Sequence, residues 1–282
     1  MNAAAGRERP ARVLLVEDDA ALRGFVAIAL EDLPVEVVEC DGVAPALAAL
    51  ARAPADLVIT DLMLAGGETA LALLDRLAGE PQPHSAPVLV CTAAGEAEAQ
   101  AALAERGVWR VLAKPVPMAE LRACVRQALA LPAAVAPMDA DAGAGPDDGG
   151  SAGMAAVTSH GAGPQDPSQD QDHHQRAARR ARAVAQHFAG DAELYDRFRD
   201  SCLAQFGADI AAGEAASASA DLAELRRLLH SLRTVLQLLG HDAEAEQARL
   251  AEACAIAGEA AATRAAWSRV CSALRQLPGT AA

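Results

Sequence analysis

The sequence lacks the features that mark several classes of protein. Its 282 residues carry a formal charge of −14, whereas a chain that binds nucleic acid needs a basic patch to contact the phosphates. No segment typical of DNA binding stands out, so we expect no nucleic-acid partner. The chain also lacks a signal peptide and an apolar run long enough to span a membrane, which predicts a cytoplasmic protein with no membrane partner.

Paired cysteines are also missing. No two of the six cysteines form a C-x-x-C pair. The cysteines are Cys40, Cys91, Cys124, Cys202, Cys254 and Cys271. Most of them lie in apolar runs, so the pattern favours reduced thiols in a core over disulfides or a zinc site. Apolar residues make up 52% of the chain, which is enough to bury real cores, and the length fits two domains better than one.

Polar side chains follow four apolar, strand-like runs in the first half, at the point where each run ends. They are, in chain order, Glu17 with Asp18 and Asp19, then Asp61, Thr92 and Lys114. Because the carboxyl ends of strands in an open parallel sheet share one edge, we expect these side chains to line one pocket.

This set of residues suits phosphoryl transfer to a carboxylate. A carboxylate nucleophile such as Asp61 repels the phosphoryl group, so a hard cation held by oxygen ligands is expected, and Glu17 and Asp18 can hold Mg²⁺. Lys114 and Thr92 can bind the oxygens of the transferred group. Two alternatives remain open for Asp19, which either tunes the metal or caps the helix that follows.

Residues 11–131 resemble the receiver domain of bacterial response regulators. The matching pieces are Val-Leu-Leu-Val-Glu-Asp-Asp at 13–19, Asp-Leu-Met-Leu at 61–64, Cys-Thr-Ala at 91–93 and Ala-Lys-Pro at 113–115. The resemblance implies a flavodoxin-like, doubly wound α/β fold with five parallel strands in the order 2-1-3-4-5. It further implies that Glu17 and Asp18 hold magnesium with a backbone carbonyl from Met63, that Asp61 becomes the acyl phosphate, and that Thr92 and Lys114 sense it.

A metal-dependent phosphatase of the haloacid type is a rival, since it also uses an aspartate nucleophile after a strand. Such an enzyme would place a second aspartate two residues after the first. Met63 occupies that position, which favours the receiver interpretation.

The middle of the chain predicts a linker. Residues 132–172 are rich in Pro, Gly, Ala and Asp, and such composition breaks any helical or strand period. Residues 173–277 then show helical periodicity throughout, which predicts an all-α bundle as a second domain. The expected helices are 174–188, 191–212, 219–239, 242–257 and 260–276.

His230 is the candidate functional residue of this second half. It falls beside the leucine seam of the third predicted helix, and we expect it to face water. Arg226, Arg227 and Arg233 lie within one helical turn of it, so guanidinium groups should surround the imidazole. Such a cluster can bind a phosphoryl group and favours the neutral, nucleophilic imidazole.

The segment His-Ser-Leu-Arg-Thr-Val-Leu-Gln-Leu-Leu-Gly at 230–240 is similar to the signature of histidine phosphotransfer domains. The resemblance implies that His230 carries the phosphoryl group, that Arg233 stands where a lysine is usual, and that Gln237 orients the imidazole. Thr234 replaces the usual glycine beside the histidine, so we expect its branched side chain to hinder an approaching receiver.

Together these patterns predict a phosphorelay protein that accepts a phosphoryl group on Asp61 and exchanges it with His230 or with partners. No nucleotide-binding glycine loop is present in the sequence, so the donor should be a separate sensor histidine kinase. The other expected partners are receiver or histidine phosphotransfer proteins. The alternative is a degenerate adaptor or phosphate sink that docks a partner without transfer.

Overall fold

The protein is described by a computed structural model that covers residues 9–79, 85–93, 97–130 and 167–277. The first part alternates strands and helices. Its elements are β1 (Ala11–Val16), α1 (Ala20–Leu30), β2 (Val35–Cys40), α2 (Val43–Arg52), β3 (Leu57–Asp61), a 3-10 turn (Ala65–Gly67), α3 (Ala70–Ala78), β4 (Val88–Ala93), α4 (Ala97–Glu105), β5 (Arg110–Lys114) and α5 (Met118–Ala128).

The five strands form one parallel sheet in the order β2-β1-β3-β4-β5. This confirms the predicted doubly wound α/β class and its strand order. The order reverses between β1 and β3, and in open α/β sheets ligands bind outside the carboxyl ends of the strands at such a switch point. The register pairs Val16 with Thr60, so β1 and β3 end side by side.

Helices cover both faces of the sheet, which explains why the strands have continuous apolar sequences. Leu15 and Ile59 point to the side of α1 and α5, whereas Val16 and Val58 point to the side of α2 and α3. The alternation follows from the period of two along a strand. The loops at the carboxyl edge are therefore anchored on a rigid core.

The second part is all-α, as predicted. Its helices are α6 (Pro167–His187), α7 (Ala192–Ser219), α8 (Leu222–Leu238), α9 (Asp242–Ile256) and α10 (Ala260–Gln276). Each of α7 to α10 packs on its chain neighbour and α10 returns to α7, which closes a helical bundle. The side chains of Asp191 and Asp221 accept hydrogen bonds from the backbone N–H groups of Leu194 and Glu224 and so cap α7 and α8.

Two predicted boundaries were wrong. Helix α6 begins at Pro167, inside the expected linker, because proline is tolerated in the first turn of a helix. Residues 132–166 of that linker lie outside the described residues. Helix α7 continues through 213–219, where an interruption was expected. Gly213 is not a turn residue there, because the Trp267 ring lies against its Cα and a Cβ would come within 1.9 Å of the ring.

Substitution of Gly213 by alanine should therefore destabilise the protein although alanine is the better helix former. Alanine gains about 1 kcal/mol of helix propensity, but overpacking against Trp267 costs roughly 1–3 kcal/mol and displaces a buried ring. Gly207→Ala is the matched control, because a Cβ there meets no atom within 4 Å on the same helix. Thermal unfolding should show a lower midpoint for Gly213→Ala and an equal or higher one for Gly207→Ala. Two equal midpoints would contradict the packing argument.

The two parts pack on each other through α1. Phe25 meets Phe188 and Phe198 edge to face, with ring centroids 5.5 and 5.4 Å apart, a geometry that stabilises aromatic pairs. Buried residues of α1, α7 and α8 belong to one apolar cluster. The helical part is thus seated on the α1 side of the sheet, next to the carboxyl ends of the strands.

Candidate functional site: an acidic pocket capped by a helix

Three carboxylates come together at the switch point of the sheet. Glu17 and Asp18 directly follow β1, and Asp61 is the last residue of β3. One oxygen from each lies within 4.8 Å of the others, and we call these three residues the acidic pocket. Asp19 does not join them, because its Oδ1 accepts a hydrogen bond of 2.9 Å from the Leu22 N–H. Asp19 is therefore the N-cap of α1, which supports one of the two interpretations left open.

Lys114, the only lysine of the chain, ends β5 and reaches into the acidic pocket. Its Nζ lies 2.8 Å from Glu17 Oε2 and 2.9 Å from Asp61 Oδ2. Thr92 is buried at the end of β4, where it pairs with Ala113, the residue before Lys114. The sheet thus places the predicted acids, hydroxyl and ammonium at one edge.

Burial and crowding of charge shape the protonation of this pocket. Burial raises the pKa of Glu17 to about 8, against the lowering effect of Lys114 and with a further rise from Asp61. Burial also raises the pKa of Asp18, opposed by Arg227. For Lys114, burial alone would lower the pKa, but Asp61 and Glu17 hold it above its ordinary value. Three crowded carboxylates against one ammonium are a set of hard oxygen ligands that fits a divalent cation such as Mg²⁺.

The loop after Asp61 is held in place by backbone contacts. The Leu62 N–H donates to Asp61 Oδ1 at 2.7 Å, and Met63 forms an isolated antiparallel bridge with Thr69. These contacts fix the nucleophile and the backbone of Met63 next to the acidic pocket. The predicted role of the Met63 carbonyl as a magnesium ligand stays a prediction.

Helix α8 of the helical part covers the acidic pocket. Arg227 Nη1 donates to Asp18 Oδ2 at 2.5 Å, and Thr234 with Leu238 lines a cavity of about 30 Å³ together with Asp61 and Lys114. Thr234 was expected to hinder an approaching receiver, which requires an accessible side chain, but it is only 3% exposed. That expectation was wrong because it treated the helical part as free, whereas α8 packs on the first part.

His230 is likewise buried, at 3% exposure, and not directed to water as expected. Its Nδ1 lies 2.8 Å from Glu252 Oε1, whereas its Nε2 is buried without a hydrogen-bond partner among the described residues. Arg227 lies three residues before His230 and Thr234 four after it, so all three share one face of α8. That face is the one turned to the acidic pocket.

The arginines of the predicted cluster, Arg226, Arg227 and Arg233, do not share one partner. Arg233 Nη1 donates to Glu252 Oε2 at 2.9 Å, while Arg227 is held by Glu224 and Asp18. Arg226 has a buried Nε without a hydrogen-bond partner in the described part of the chain. The guanidinium groups therefore do not gather around the imidazole as one unit.

Glu252 is a residue of the site that the sequence patterns did not predict. It contacts Nδ1 of His230, so Gln237 does not hold the imidazole as the resemblance implied. Burial would raise the pKa of Glu252, but the hydrogen bond from His230 and nearby arginines lower it below its ordinary value. The available signal was a glutamate inside the otherwise apolar stripe of α9, whose buried members are Ala245, Ala248, Ala251, Glu252 and Ala255.

Comparison with known proteins identifies the type of domain that the first part of the chain forms. Residues 13–126 match the family model described as the response regulator receiver domain. The amino-terminal part is a receiver domain of two-component signalling. With its acidic pocket and Lys114 at the carboxyl ends of the strands, it supports phosphoryl acceptance on an aspartate. The matched residues end before the helical part begins.

Several curated relatives share this receiver domain. The phosphate regulon transcriptional regulatory protein PhoB of Escherichia coli K12 is 32% identical over 115 residues, which is 41% of this chain and 50% of that protein. The KDP operon transcriptional regulatory protein KdpE of the same organism is 34% identical over 117 residues, or 42% and 50%. The chain thus spans about half the length of these relatives.

Solved structures with similarity to the receiver domain include a putative response regulator from Chloroflexus aurantiacus. It is 30% identical, and the match covers 43% of this chain and 99% of that one at a TM-score of 0.41. The chemotaxis response regulator CheY4 of Vibrio cholerae is 25% identical, with 42% and 98% covered and a TM-score of 0.39. Within the described residues, no helix is both long enough and apolar enough to cross a membrane.

Proposed function

We propose that this protein is a phosphorelay component in which Asp61 accepts a phosphoryl group from a sensor histidine kinase and exchanges it with His230 of the same chain. The domains would be the receiver at 11–131 and a histidine phosphotransfer bundle that begins with α6 at Pro167 rather than at 173 and ends at 277, with the expected linker between them. One observation carries the proposal, namely that the face of α8 bearing His230 lies on the receiver's acidic pocket through Arg227 and Thr234.

In the first step Asp61 acts as the nucleophile. One of its carboxylate oxygens attacks the phosphorus of the kinase's phosphohistidine, the P–N bond breaks, and the donor imidazole leaves. Glu17 and Asp18 would hold Mg²⁺, which when bound neutralises charge on the phosphoryl oxygens. Lys114, which now pairs with Asp61 Oδ2, would move its charge to a phosphoryl oxygen, and the Thr92 hydroxyl would donate to another.

In the second step His230 acts as the nucleophile. Glu252 is ionised at neutral pH because its pKa is lowered, so it can only accept a hydrogen bond from Nδ1. In the neutral imidazole the proton would therefore sit on Nδ1, and Nε2 would keep the lone pair that attack requires. As the Nε2–P bond forms, the P–O bond to Asp61 breaks, the carboxylate is regenerated, and Glu252 stabilises the positive imidazole.

The burial of His230 favours transfer within the chain over transfer between chains. With an exposure of 3%, the imidazole is out of reach of a separate receiver while α8 covers the pocket. The exchange within one chain is therefore the route that the geometry supports best. Partner receivers or phosphotransfer proteins would engage His230 only after the two parts separate.

The chemical stability of the label tests this function. Incubation with a phosphorylated histidine kinase should give the chain two kinds of bound phosphate, an acyl phosphate that is lost in base and a phosphohistidine that is lost in acid. A label that is only base-labile at every time point would refute the exchange. It would instead favour the alternative, an adaptor or phosphate sink in which the bundle docks without transfer.

Glu252→Gln should impair transfer to His230 and weaken the fold in a pH-dependent way. The folded pKa of Glu252 is lowered by His230, Arg233 and Arg226 on α8. Its carboxylate therefore stabilises the fold above its ordinary pKa of 4.5, and this contribution is lost as the pH falls through the folded value. At pH 7 we expect the variant to lose roughly 1–3 kcal/mol, as for hydrogen bonds to a buried charge.

The difference in unfolding free energy between Glu252→Gln and the unmodified protein should shrink toward acid pH, as measured by denaturant unfolding. Glu246→Gln is the matched control, since Glu246 pairs with Arg249 on the exposed side of the same helix. A difference that stays constant from neutral to acid pH would show that the Glu252 charge does not matter.

The proposed location is the cytoplasm, where histidine kinases present their phosphoryl groups to receivers. We also expect no nucleic-acid partner, because the net charge of −14 opposes contact with a phosphate backbone. Retention of the protein on a DNA column at physiological salt would contradict that expectation.

A further inference from the structure

An arginine of the helical part reaches into the receiver's acidic pocket. Arg227 and Asp18 form an ion pair across 209 residues of sequence, with the guanidinium Nη1 at 2.5 Å from Oδ2. The Asp18 side chain is 5% exposed and that of Arg227 20%. Because the pair is largely shielded from water and salt, its Coulomb attraction is screened less than that of an exposed pair.

The same carboxylate is one of the three proposed magnesium ligands. A guanidinium on Asp18 uses a lone pair of the carboxylate and places a positive charge beside the position of a divalent cation. Mg²⁺ also tolerates little distortion of its octahedral shell. We propose that Arg227 competes with Mg²⁺ for Asp18, so that metal loading of the receiver and the contact of α8 with the acidic pocket oppose each other.

Glu224 lowers the free-energy cost of releasing Arg227 from Asp18. It lies one turn earlier on α8 and accepts two hydrogen bonds from the Arg227 guanidinium, at 2.9 and 2.6 Å. Arg227 therefore keeps a counter-ion when Asp18 turns to the metal, and no buried charge is left unpaired. A lysine could not replace it, since a single ammonium lacks the fork that spans both carboxylates.

The competition has a reciprocal consequence. If Arg227 weakens magnesium binding by some factor, bound magnesium weakens the Arg227 contact by the same factor. The receiver would then bind the metal needed for phosphorylation most readily when the contact between Arg227 of α8 and Asp18 is broken. This inference rests on the proposed magnesium site, but not on phosphoryl transfer to His230.

Magnesium titration of the full chain by isothermal calorimetry, without any phosphoryl donor, tests the competition. Arg227→Gln should bind Mg²⁺ on the order of tenfold more tightly than the unmodified chain, within the usual range of coupling between two binding events. Arg249→Gln is the matched control, because Arg249 forms the same kind of pair with a glutamate three residues earlier but lies away from Asp18. Its affinity should equal that of the unmodified chain.

Arg227→Lys is the second variant, and it should give an intermediate affinity because it keeps the charge and loses the fork. Equal or weaker binding by Arg227→Gln, with the unmodified chain binding normally, would overturn the competition and leave the proposed function standing. If none of the chains bound Mg²⁺, the proposed metal site would fall, and the competition with it.

Discussion

Asp61→Asn should abolish phosphorylation of the receiver while leaving the fold intact. The amide cannot attack phosphorus, and the other two carboxylates of the acidic pocket are the proposed magnesium ligands rather than nucleophiles. The fold should not suffer, because the substitution removes a buried negative charge that raises the pKa of Glu17, and Lys114 keeps Glu17 as its counter-ion. Labelling by a phosphorylated kinase and thermal unfolding measure the two effects, and we expect no label with an equal or higher midpoint.

Asp19→Asn is the control for this result. Asparagine caps a helix as well as aspartate, so the hydrogen bond from Leu22 and the label on Asp61 should both persist. Chelation of magnesium, or neutralisation of Glu17 and Asp18 together, should abolish the label as Asp61→Asn does. Persistent label after either treatment would show that the metal does not lie where we place it.

His230→Gln should remove the acid-labile phosphate and leave the base-labile label on Asp61. Glutamine lacks a nucleophilic nitrogen, and the receiver's own site is unchanged. Because His230 is buried and bonded to Glu252, we expect a loss of about 1.5–3 kcal/mol of stability, as for a lost hydrogen bond to a charged group. This cost is larger than the sequence suggested, since the histidine was expected to face water.

His241→Gln is the matched control for His230→Gln. His241 is the N-cap of α9 and has no side-chain capping hydrogen bond, so both kinds of label should remain. If His230→Gln kept its acid-labile phosphate, another histidine would be the carrier. If it unfolded the helical part outright, the histidine would be structural.

The sequence predicted which polar side chains converge in the first part, because the fold brings them together from local patterns. Apolar runs that end in Glu17, Asp61, Thr92 and Lys114 require only a parallel sheet to converge, and the sheet has the predicted order. The chemistry of each residue type then restricts its role. Local pattern and tertiary arrangement agree here, so the prediction of the strand ends and of the fold class was confirmed.

The helical part was predicted less well because its site depends on tertiary contacts. His230 is buried with Glu252 of α9 as its partner. Thr234 lines a cavity with receiver residues, because α8 packs on the receiver and joins residues as far apart as Asp18 and Arg227. No periodicity in either segment encodes that contact. The role of Gly213 is similar, since a glycine that accommodates Trp267 looks in sequence like a glycine that ends a helix.

The exchange of phosphate between Asp61 and His230 of one chain is the central claim, and a mixing experiment tests it most directly. His230→Gln chains labelled on Asp61 are mixed with Asp61→Asn chains that retain His230, and transfer is compared with single-turnover transfer in the unmodified chain. The account predicts that the unmodified chain forms phosphohistidine at a rate independent of protein concentration, and that the mixture forms little or none. Transfer in the mixture as fast as in the unmodified chain, or a rate that rises with concentration, would contradict it.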